Sequence, residues 1–307
     1  MQQVDLSIVI INWNVRDLLV QCLRSLFRAL EGSPLRVEYI VVDNASHDDS
    51  VATVRRLFPD VHLLALPENR GYTGGVNAGL AVARGRFVLV LNPDTEALND
   101  APQRLVQFLE THPRVGCVGP ALFYPDGSRQ PSRRRFHSLP VLFFQDTPLH
   151  GLIRPWLNRF FVADRTDEEA QPVDWLVGAA LCVRREVLDE VGGMDERYFM
   201  YFEEVDWQRR MREAGWEIWY LPEARFIHHE GASSGQVVAA RHLRYARSRI
   251  AYTERWHGRV WAWLLRRWLR LFFMWELTLE WAKLQLRHKP DMRRARVQAY
   301  RQVLAEL

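Results

Sequence analysis

Three short, continuously apolar and largely β-branched runs, Leu6 to Ile11, Val37 to Val42 and Phe87 to Leu91, punctuate the first third of this 307-residue chain. Runs of this kind suit strands buried on both faces, as in parallel sheets covered by helices. The segment after the first run carries apolar residues at helical spacing, Leu19, Cys22, Leu23, Leu26 and Phe27. Further helices are expected at 50–58 and 76–83, and a further strand at 61–65. Alternation of strands and helices implies right-handed crossovers and an α/β protein with a mostly parallel central sheet flanked by helices. Ligands of such sheets bind beyond the carboxyl ends of the strands. Asp43 and Asp94 both stand at such ends, so the two are expected to face one cleft.

With 48% hydrophobic and 25% charged residues the chain is globular rather than disordered or fibrous, and its length allows one large α/β unit with an appendage. The three cysteines, Cys22, Cys117 and Cys182, are scattered and form no C-x-x-C pair. That argues against a disulfide framework or a zinc site and fits a reducing compartment. Residues 1–5 lead into the first strand without a basic and apolar leader, so a cytoplasmic location is expected.

The overall charge of +4 is unevenly held. Residues 241–307 contain 16 Lys and Arg against five Asp and Glu, a net of +11, which leaves −7 on residues 1–240. The expected division is a main domain at 1–240 and a basic, Trp-rich helical region at 241–307. In that region Trp261, Trp263, Trp268, Trp275 and Trp281 alternate with Arg266, Arg267, Arg270, Glu276, Glu280 and Lys283. Its uncharged stretches fall far below the roughly 18 residues that cross a bilayer. The charges align as two consecutive amphipathic helices. Tryptophan with arginine on such helices favours an anionic membrane surface over nucleic acid, and peripheral placement on the inner face of the plasma membrane is the resulting expectation.

Phe199 to Trp207 reads F-M-Y-F-E-E-V-D-W and sets Glu203, Glu204 and Asp206 about 110 residues after Asp94. Two acidic clusters so separated fit one reaction served by a metal-binding carboxylate and a distinct general base. A helix is expected at 205–214, ending at Gly215. Residues 125–135 and 164–172 have the composition of loops, and 139–161 is aromatic without a clean period.

The motifs S-I-V-I-I-N-W-N (7–14), V-V-D-N-A-S-H-D-D-S (41–50), E-N-R-G-Y-T-G-G-V-N-A-G (68–79), L-N-P-D-T (91–95), G-A-A-L-C-V-R-R (178–185), F-E-E-V-D-W (202–207) and H-H-E-G (228–231) follow in this order. Over roughly residues 5–255 they resemble family 2 glycosyltransferases of the GT-A (nucleotide-diphospho-sugar transferase) fold, in particular the bacterial rhamnosyltransferase-like branch. The resemblance implies inverting, metal-dependent sugar transfer, with L-rhamnose from dTDP-rhamnose as the first choice. The acceptor would be a glycan or lipid-linked molecule in cell-surface polysaccharide synthesis. UDP-galactofuranose, UDP-glucose and UDP-N-acetylhexosamine are alternative donors.

The resemblance also implies roles for single residues. Asp43 would accept the N3–H of the donor's pyrimidine, which suits an acceptor-only carboxylate, although capping the next helix is an alternative. Asn12, Asn69, Gly71, Gly74, Asn77 and Asn92 would border the nucleotide, the glycines letting backbone approach a ligand at a helix start. Asp94 matches the second acid of the family's Asp-x-Asp motif, whose first position is here Asn92. With His228 it would hold Mg²⁺ or Mn²⁺, ions that take oxygen ligands and bridge diphosphate oxygens; His229 is a rival. Glu204 stands where the family has its general base, usually an Asp, while Glu203 and Asp206 would bind acceptor hydroxyls or anchor the following helix. Trp175, Gly178 and Trp207 would shape the sugar and acceptor pocket, with core packing an equal alternative for the tryptophans.

Two other classes compete. A sugar nucleotidyltransferase would carry a Gly-rich, Arg-containing first loop where Asn12-Trp13-Asn14 stands. A catalytically inactive nucleotide-sugar-binding scaffold, anchored by its basic tail, would not need Asp94, Glu204 and His228 together. A homo-oligomer is a further expectation.

Overall fold

Along the first strand Ile8 and Ile10 enter one apolar core and Val9 and Ile11 another, so the sheet they build is buried on both faces. The computed structural model describes residues 4–231, 238–286 and 289–307. The chain begins with β1 (Leu6–Asn12), α1 (Arg16–Ala29), β2 (Val37–Asp43), α2 (Ser50–Leu57), β3 (His62–Ala65) and α3 (Gly71–Val82). It continues with β4 (Phe87–Leu91), β5 (Thr95–Leu98), α4 (Ala101–Thr111), β6 (Val115–Phe123), β7 (Arg129–Gln130) and β8 (Arg133–Arg134). The aromatic stretch that lacked a period forms α5 (Leu139–Phe144), a 3-10 turn (Pro148–Ile153) and α6 (Arg154–Phe160). After it come β9 (Gln171–Val173), β10 (Trp175–Leu176), β11 (Ala180–Arg184), α7 (Arg185–Val191), α8 (Glu203–Glu213) and β12 (Glu217–His228). The last elements are α9 (Val238–His257), α10 (Arg259–Gln285) and α11 (Pro290–Glu306).

Among the described residues the main sheet has the order β3-β2-β1-β4-β11-β6-β12-β5, with β7 beside β6 and β9 beside β12. The strands β3, β2, β1 and β4 are mutually parallel, as the alternating pattern predicts. From there the sheet is mixed. β11 is antiparallel to both β4 and β6, and β12 is parallel to β6 but antiparallel to β5.

The glycine segment expected to be a loop before a helix at 76–83 is itself helical, since α3 starts at Gly71. The reason is packing. A Cβ on Gly75 would stand 2.7 Å from Ile11 Cγ2, and one on Gly79 would run into Val9, so these glycines let α3 lie close against β1. Gly71 has φ +74°, a value side chains rarely adopt, where the chain turns into the helix.

Contacts divide the chain into two compact units. One contains the sheet and comprises residues 4–136, 159–196 and 203–231 of those described. The other comprises 137–158, 197–202 and the described residues from 238 onward, so it draws in two segments that precede the expected break at 240.

In the second unit the predicted pair of helices over 260–287 is instead the single helix α10 for its described part. Ala262, Leu265, Leu269 and Phe273 form one stripe buried in a core with residues of α9 and α11, and Glu280 lies on the same stripe. The acid that seemed to mark a second polar face is thus turned inward. It pairs with Arg293 at 2.6 Å and lies 3.4 Å from Arg296, which offsets the expense of burying its charge. No glycine or proline interrupts the helix. Its opposite side exposes Trp263, Leu271, Met274, Trp275 and Trp281. No helix among the described residues is long and apolar enough to cross a membrane.

Because Gly79 faces the side chains of Val9 and Val42, Gly79→Ala should overpack the sheet face and lower stability by about 1–3 kcal/mol. Urea denaturation of the whole chain measures this, and an unchanged midpoint would mean α3 can shift without loss.

Candidate active site

Parallel register sets Asn12 opposite Asp43, so two polar side chains finish adjacent buried strands. Asn12 Nδ2 donates to Asp43 Oδ1 at 2.8 Å and to Ser46 Oγ at 3.1 Å, and the Ser46 amide donates to Asp43 Oδ2 at 3.0 Å. Each Asp43 oxygen keeps acceptor capacity, and Asn12 Oδ1 is buried with no hydrogen-bond partner among the described residues. At the start of α2 it is Asp48 that accepts from the Ser50 amide, at 3.2 Å. Asp43 therefore closes the turn at Ser46 and is not the cap of that helix.

Asp94 follows β4, and the antiparallel pairing of β12 with β5 sets His228 opposite Thr95. His228 Nε2 comes within 3.4 Å of Asp94 Oδ1, which has no hydrogen-bond partner among the described residues. The far side of the imidazole decides what this contact means. Gln130 Nε2 donates to Glu230 Oε2 at 2.8 Å, which turns Gln130 Oε1 toward His228 Nδ1 at 2.9 Å. An amide oxygen only accepts, so the inferred tautomer carries its proton on Nδ1. The Nε2 lone pair then faces a carboxylate lone pair, and a proton or a metal ion must lie between them. The Gln130 amide behind the ring and the mixed imidazole and carboxylate donors fit a divalent cation. Among the described residues no group of three or more His, Cys, Asp or Glu side chains could hold a metal, so the other ligands of such an ion would be phosphate oxygens or water. His229 turns elsewhere, its Nε2 lying 2.8 Å from Glu96 Oε1.

The acidic cluster forms the first turn of α8, two residues earlier than the periodicity predicts. Tyr201 and Phe202, just before it, both take left-handed backbone (φ 71° and 66°), a conformation that stores strain for bulky residues. Glu203 Oε2 and Glu204 Oε2 are buried without hydrogen-bond partners among the described residues. A helix N-terminus favours a carboxylate by only about 0.3–1 kcal/mol, whereas removing one from water costs several kcal/mol. Burial therefore wins. It raises the Glu203 carboxyl well above its usual range, with the neighbouring Glu204 charge adding to the effect. Burial also pushes Glu204 up, but the amides of Glu204, Val205 and Gly178 and the Arg134 charge oppose it, and the value settles at about 7. Burial thus raises both carboxyls of the pair, with Glu204 poised near neutrality.

Gly178 lies against Glu204, where a Cβ would stand 3.3 Å from Glu204 Cβ and Cγ. Tyr72, in the first turn of α3, donates its hydroxyl to Gly178 O at 3.2 Å. Burial, followed by the charges of Glu203, Glu204 and Asp94, raises that phenol well above its ordinary value. Tyr72 therefore stands between the acid clusters, a position that no periodicity reveals.

Several expected site residues are occupied with the fold. Trp207 is fully buried and donates to Gly192 O at 2.9 Å, and buried Trp175 donates to Arg135 O at 2.9 Å, so both rings pack inside the fold. Asp206 is fully buried and paired with Arg210 at 3.0 Å, which anchors α8. Asn77 donates to Met194 O at 2.9 Å and accepts from the Met194 amide at 2.9 Å, tying α3 to the segment after α7. Asn69 Oδ1 accepts from the Gly71 amide at 2.9 Å, holding the entry to α3. Gly74 packs against Arg70 of its own helix start, and Asn92 lies at the end of β4 with its amide bonded to Ala179 O at 2.9 Å. Gln130 and Arg134 were hidden in a segment with loop composition. The run Ser132-Arg133-Arg134-Arg135 was the only sequence signal there.

If Gln130 fixes the His228 tautomer, Gln130→Ala should weaken Mn²⁺ binding roughly 10–100-fold. Titration calorimetry on the unreacted protein tests this, and an unchanged affinity would remove His228 from the ligand set.

Residues 7–192 match the family model described as glycosyl transferase family 2. An N-acetylglucosaminyl-diphospho-decaprenol L-rhamnosyltransferase of Mycobacterium tuberculosis is 33% identical over 250 residues, which cover 76% of this chain and 80% of that protein. Among solved structures, mannosyltransferase PcManGT of Pyrobaculum calidifontis, in complex with GDP-Man and Mn²⁺, aligns with TM-score 0.54 and 17% identity over 99% of this chain and 87% of that one. GalNAc-T7 with UDP, GalNAc and Mn²⁺ aligns with TM-score 0.60 and 15% identity over 82% of this chain and 48% of that one. At such identities the structures speak to the fold alone, which is GT-A. The extent of the family match and the similarity to the mycobacterial enzyme go further: this chain belongs to glycosyl transferase family 2.

Proposed function

We propose that this glycosyltransferase moves L-rhamnose, with inversion, from dTDP-rhamnose to a glycan or lipid-linked acceptor. The observation that carries the reading is the buried acid pair at the start of α8: Glu203 and Glu204 each keep one buried oxygen with no hydrogen-bond partner among the described residues, and burial raises both carboxyls, Glu204 to about 7. A carboxylate of that affinity suits proton removal near neutrality. The acceptor hydroxyl oxygen bonds to the anomeric carbon as its proton passes to Glu204. The carbon–oxygen bond to the diphosphate breaks, and its electron pair leaves on the diphosphate oxygen. Asp94 and His228 would hold a divalent cation, which supplies neutralising charge to that leaving group. Asp43 and Asn12 would receive the base of the nucleotide. The similarity to an L-rhamnosyltransferase named for a diphospho-decaprenol acceptor supports the choice of sugar and of a lipid-linked acceptor.

The outer side of α10 supports a second part of the proposal, peripheral attachment to an anionic membrane at its cytoplasmic face. Trp263, Leu264, Leu271, Met274, Trp275 and Trp281 are all exposed, and Arg266, Arg267 and Arg270 accompany them, Arg267 lying 5.4 Å from the Trp263 ring centre. A helix apolar on two sides needs a partner for each, and arginine beside tryptophan matches anionic headgroups.

Release of nucleoside diphosphate from dTDP-rhamnose in the presence of a lipid-diphosphate-linked N-acetylglucosamine tests the transfer, with the three UDP-sugars as competing donors. Glu204→Gln should lower kcat by about 10²-fold or more while nucleotide binding survives. The wild-type rate should rise with pH through about 7 and then level, because the base works only when deprotonated. A Gln variant with normal turnover would exclude Glu204 as base.

Replacing Trp263, Trp275 and Trp281 together by Ser should abolish co-sedimentation with phosphatidylglycerol vesicles. Retained sedimentation would place the membrane contact elsewhere, and loss of self-association instead would assign the stripe to a second copy of the chain.

A further inference from the structure

Four arginines lie at 129–135, and three of them have their charges engaged by neighbouring structure. Arg129 pairs with Asp167 at 3.0 Å and Arg135 with Asp164 at 2.7 Å. Arg133 donates to Thr166 O at 2.7 Å and to Gln171 Oε1 at 3.0 Å. Arg134 differs. Its Nη1 donates to Arg133 O at 2.8 Å and its guanidinium lies 4.6 Å from the Phe161 ring centre, but it forms no ion pair with any described carboxylate.

Its backbone is held by the ladder of β8 with β10, where Arg134 stands opposite Trp175. Glu230, Tyr124 and Glu204 act on its guanidinium, against the neighbouring Arg133. Glu230 is hydrogen-bonded to Gln130, the partner of His228, and Glu204 is the proposed base. Burial drives the guanidinium down to about 10. A half-buried guanidinium without an ion pair among the described residues gains from an anion that arrives beside it. A guanidinium stacked on an aromatic ring presents a rigid fork suited to phosphate oxygens.

We propose that Arg134 binds a phosphate oxyanion of a substrate beside Glu204. The inference rests on the transfer reading, in which phosphate arrives from two sources, the diphosphate of the donor and the diphosphate of a lipid-linked acceptor. The alternative is an arginine that only packs on Phe161 and balances the nearby acids.

Arg134→Gln and Arg134→Lys in the full chain test it. Steady-state kinetics are run with donor and acceptor varied in turn, and binding of nucleoside diphosphate and of inorganic pyrophosphate is measured by calorimetry with Mn²⁺ present. The Gln variant should melt like the wild type, bind pyrophosphate about tenfold or more weakly, and raise one KM by a similar factor, with Lys recovering part of the loss. A higher donor KM with weaker nucleoside diphosphate binding assigns the donor. A higher KM only for an acceptor carrying diphosphate, and not for a simple N-acetylglucosaminide, assigns the acceptor. Affinities and both KM values within twofold of wild type overturn the proposal. If the wild type turns over no donor, the transfer reading fails, and the pyrophosphate affinities still decide whether Arg134 binds phosphate.

Discussion

The pairing of β12 with β5 is the constraint on which the site depends. It sets His228 opposite Thr95 and so within reach of Asp94, residues 134 positions apart in the chain. A one-residue slip would turn His228 to the other face of the sheet. The pairing is secured on its other side by β6, which runs parallel to β12 through a register shift between Leu221 and Arg225. Gln130 on β7, itself paired with β6, then reaches the back of the imidazole. One edge of the sheet therefore sets the histidine, its orienting amide and the carboxylate it faces.

The acids of α8 occupy the opposite energetic regime. Where Asp43 has its oxygens engaged by Asn12 and the Ser46 amide, Glu203 and Glu204 each leave one oxygen buried and unpaired. Such groups are expensive to retain, and their retention at the start of one helix is the mark of a site that stabilises something other than the resting fold. Asp206, in the same first turn, shows the contrast: fully buried, it is bound to Arg210, whose other nitrogens donate to Val191 O and Gly193 O at 2.7 and 2.6 Å. The same helix turn thus contains two acids held in reserve and one spent on anchorage.

The second unit shows how burial can reverse a reading of charge. Glu280 looks like part of a polar face when the sequence is wound as a helix, yet it lies inside with Arg293. What remains outside α10 is tryptophan, leucine and methionine flanked by arginines, the reverse of an ordinary surface helix.

Much of the fold was legible because its cause is local. The runs at β1, β2 and β4 are apolar throughout, since both faces of those strands are covered, and their polar ends at Asn12, Asp43 and Asp94 mark the carboxyl edge of the sheet. By itself the sequence determined that alternation, the order of the motifs and hence the family, because periodicity and spacing are properties of the chain alone. Only the tertiary structure decided that His228 rather than His229 turns to Asp94, that the tryptophans at 175 and 207 are buried, and that Gln130 meets His228 and Tyr72 meets Gly178. It also decided that the glycines of α3 serve helix–strand contact. Those outcomes depend on strand register and on which side of an element is desolvated, and both are set by partners on other elements of the chain.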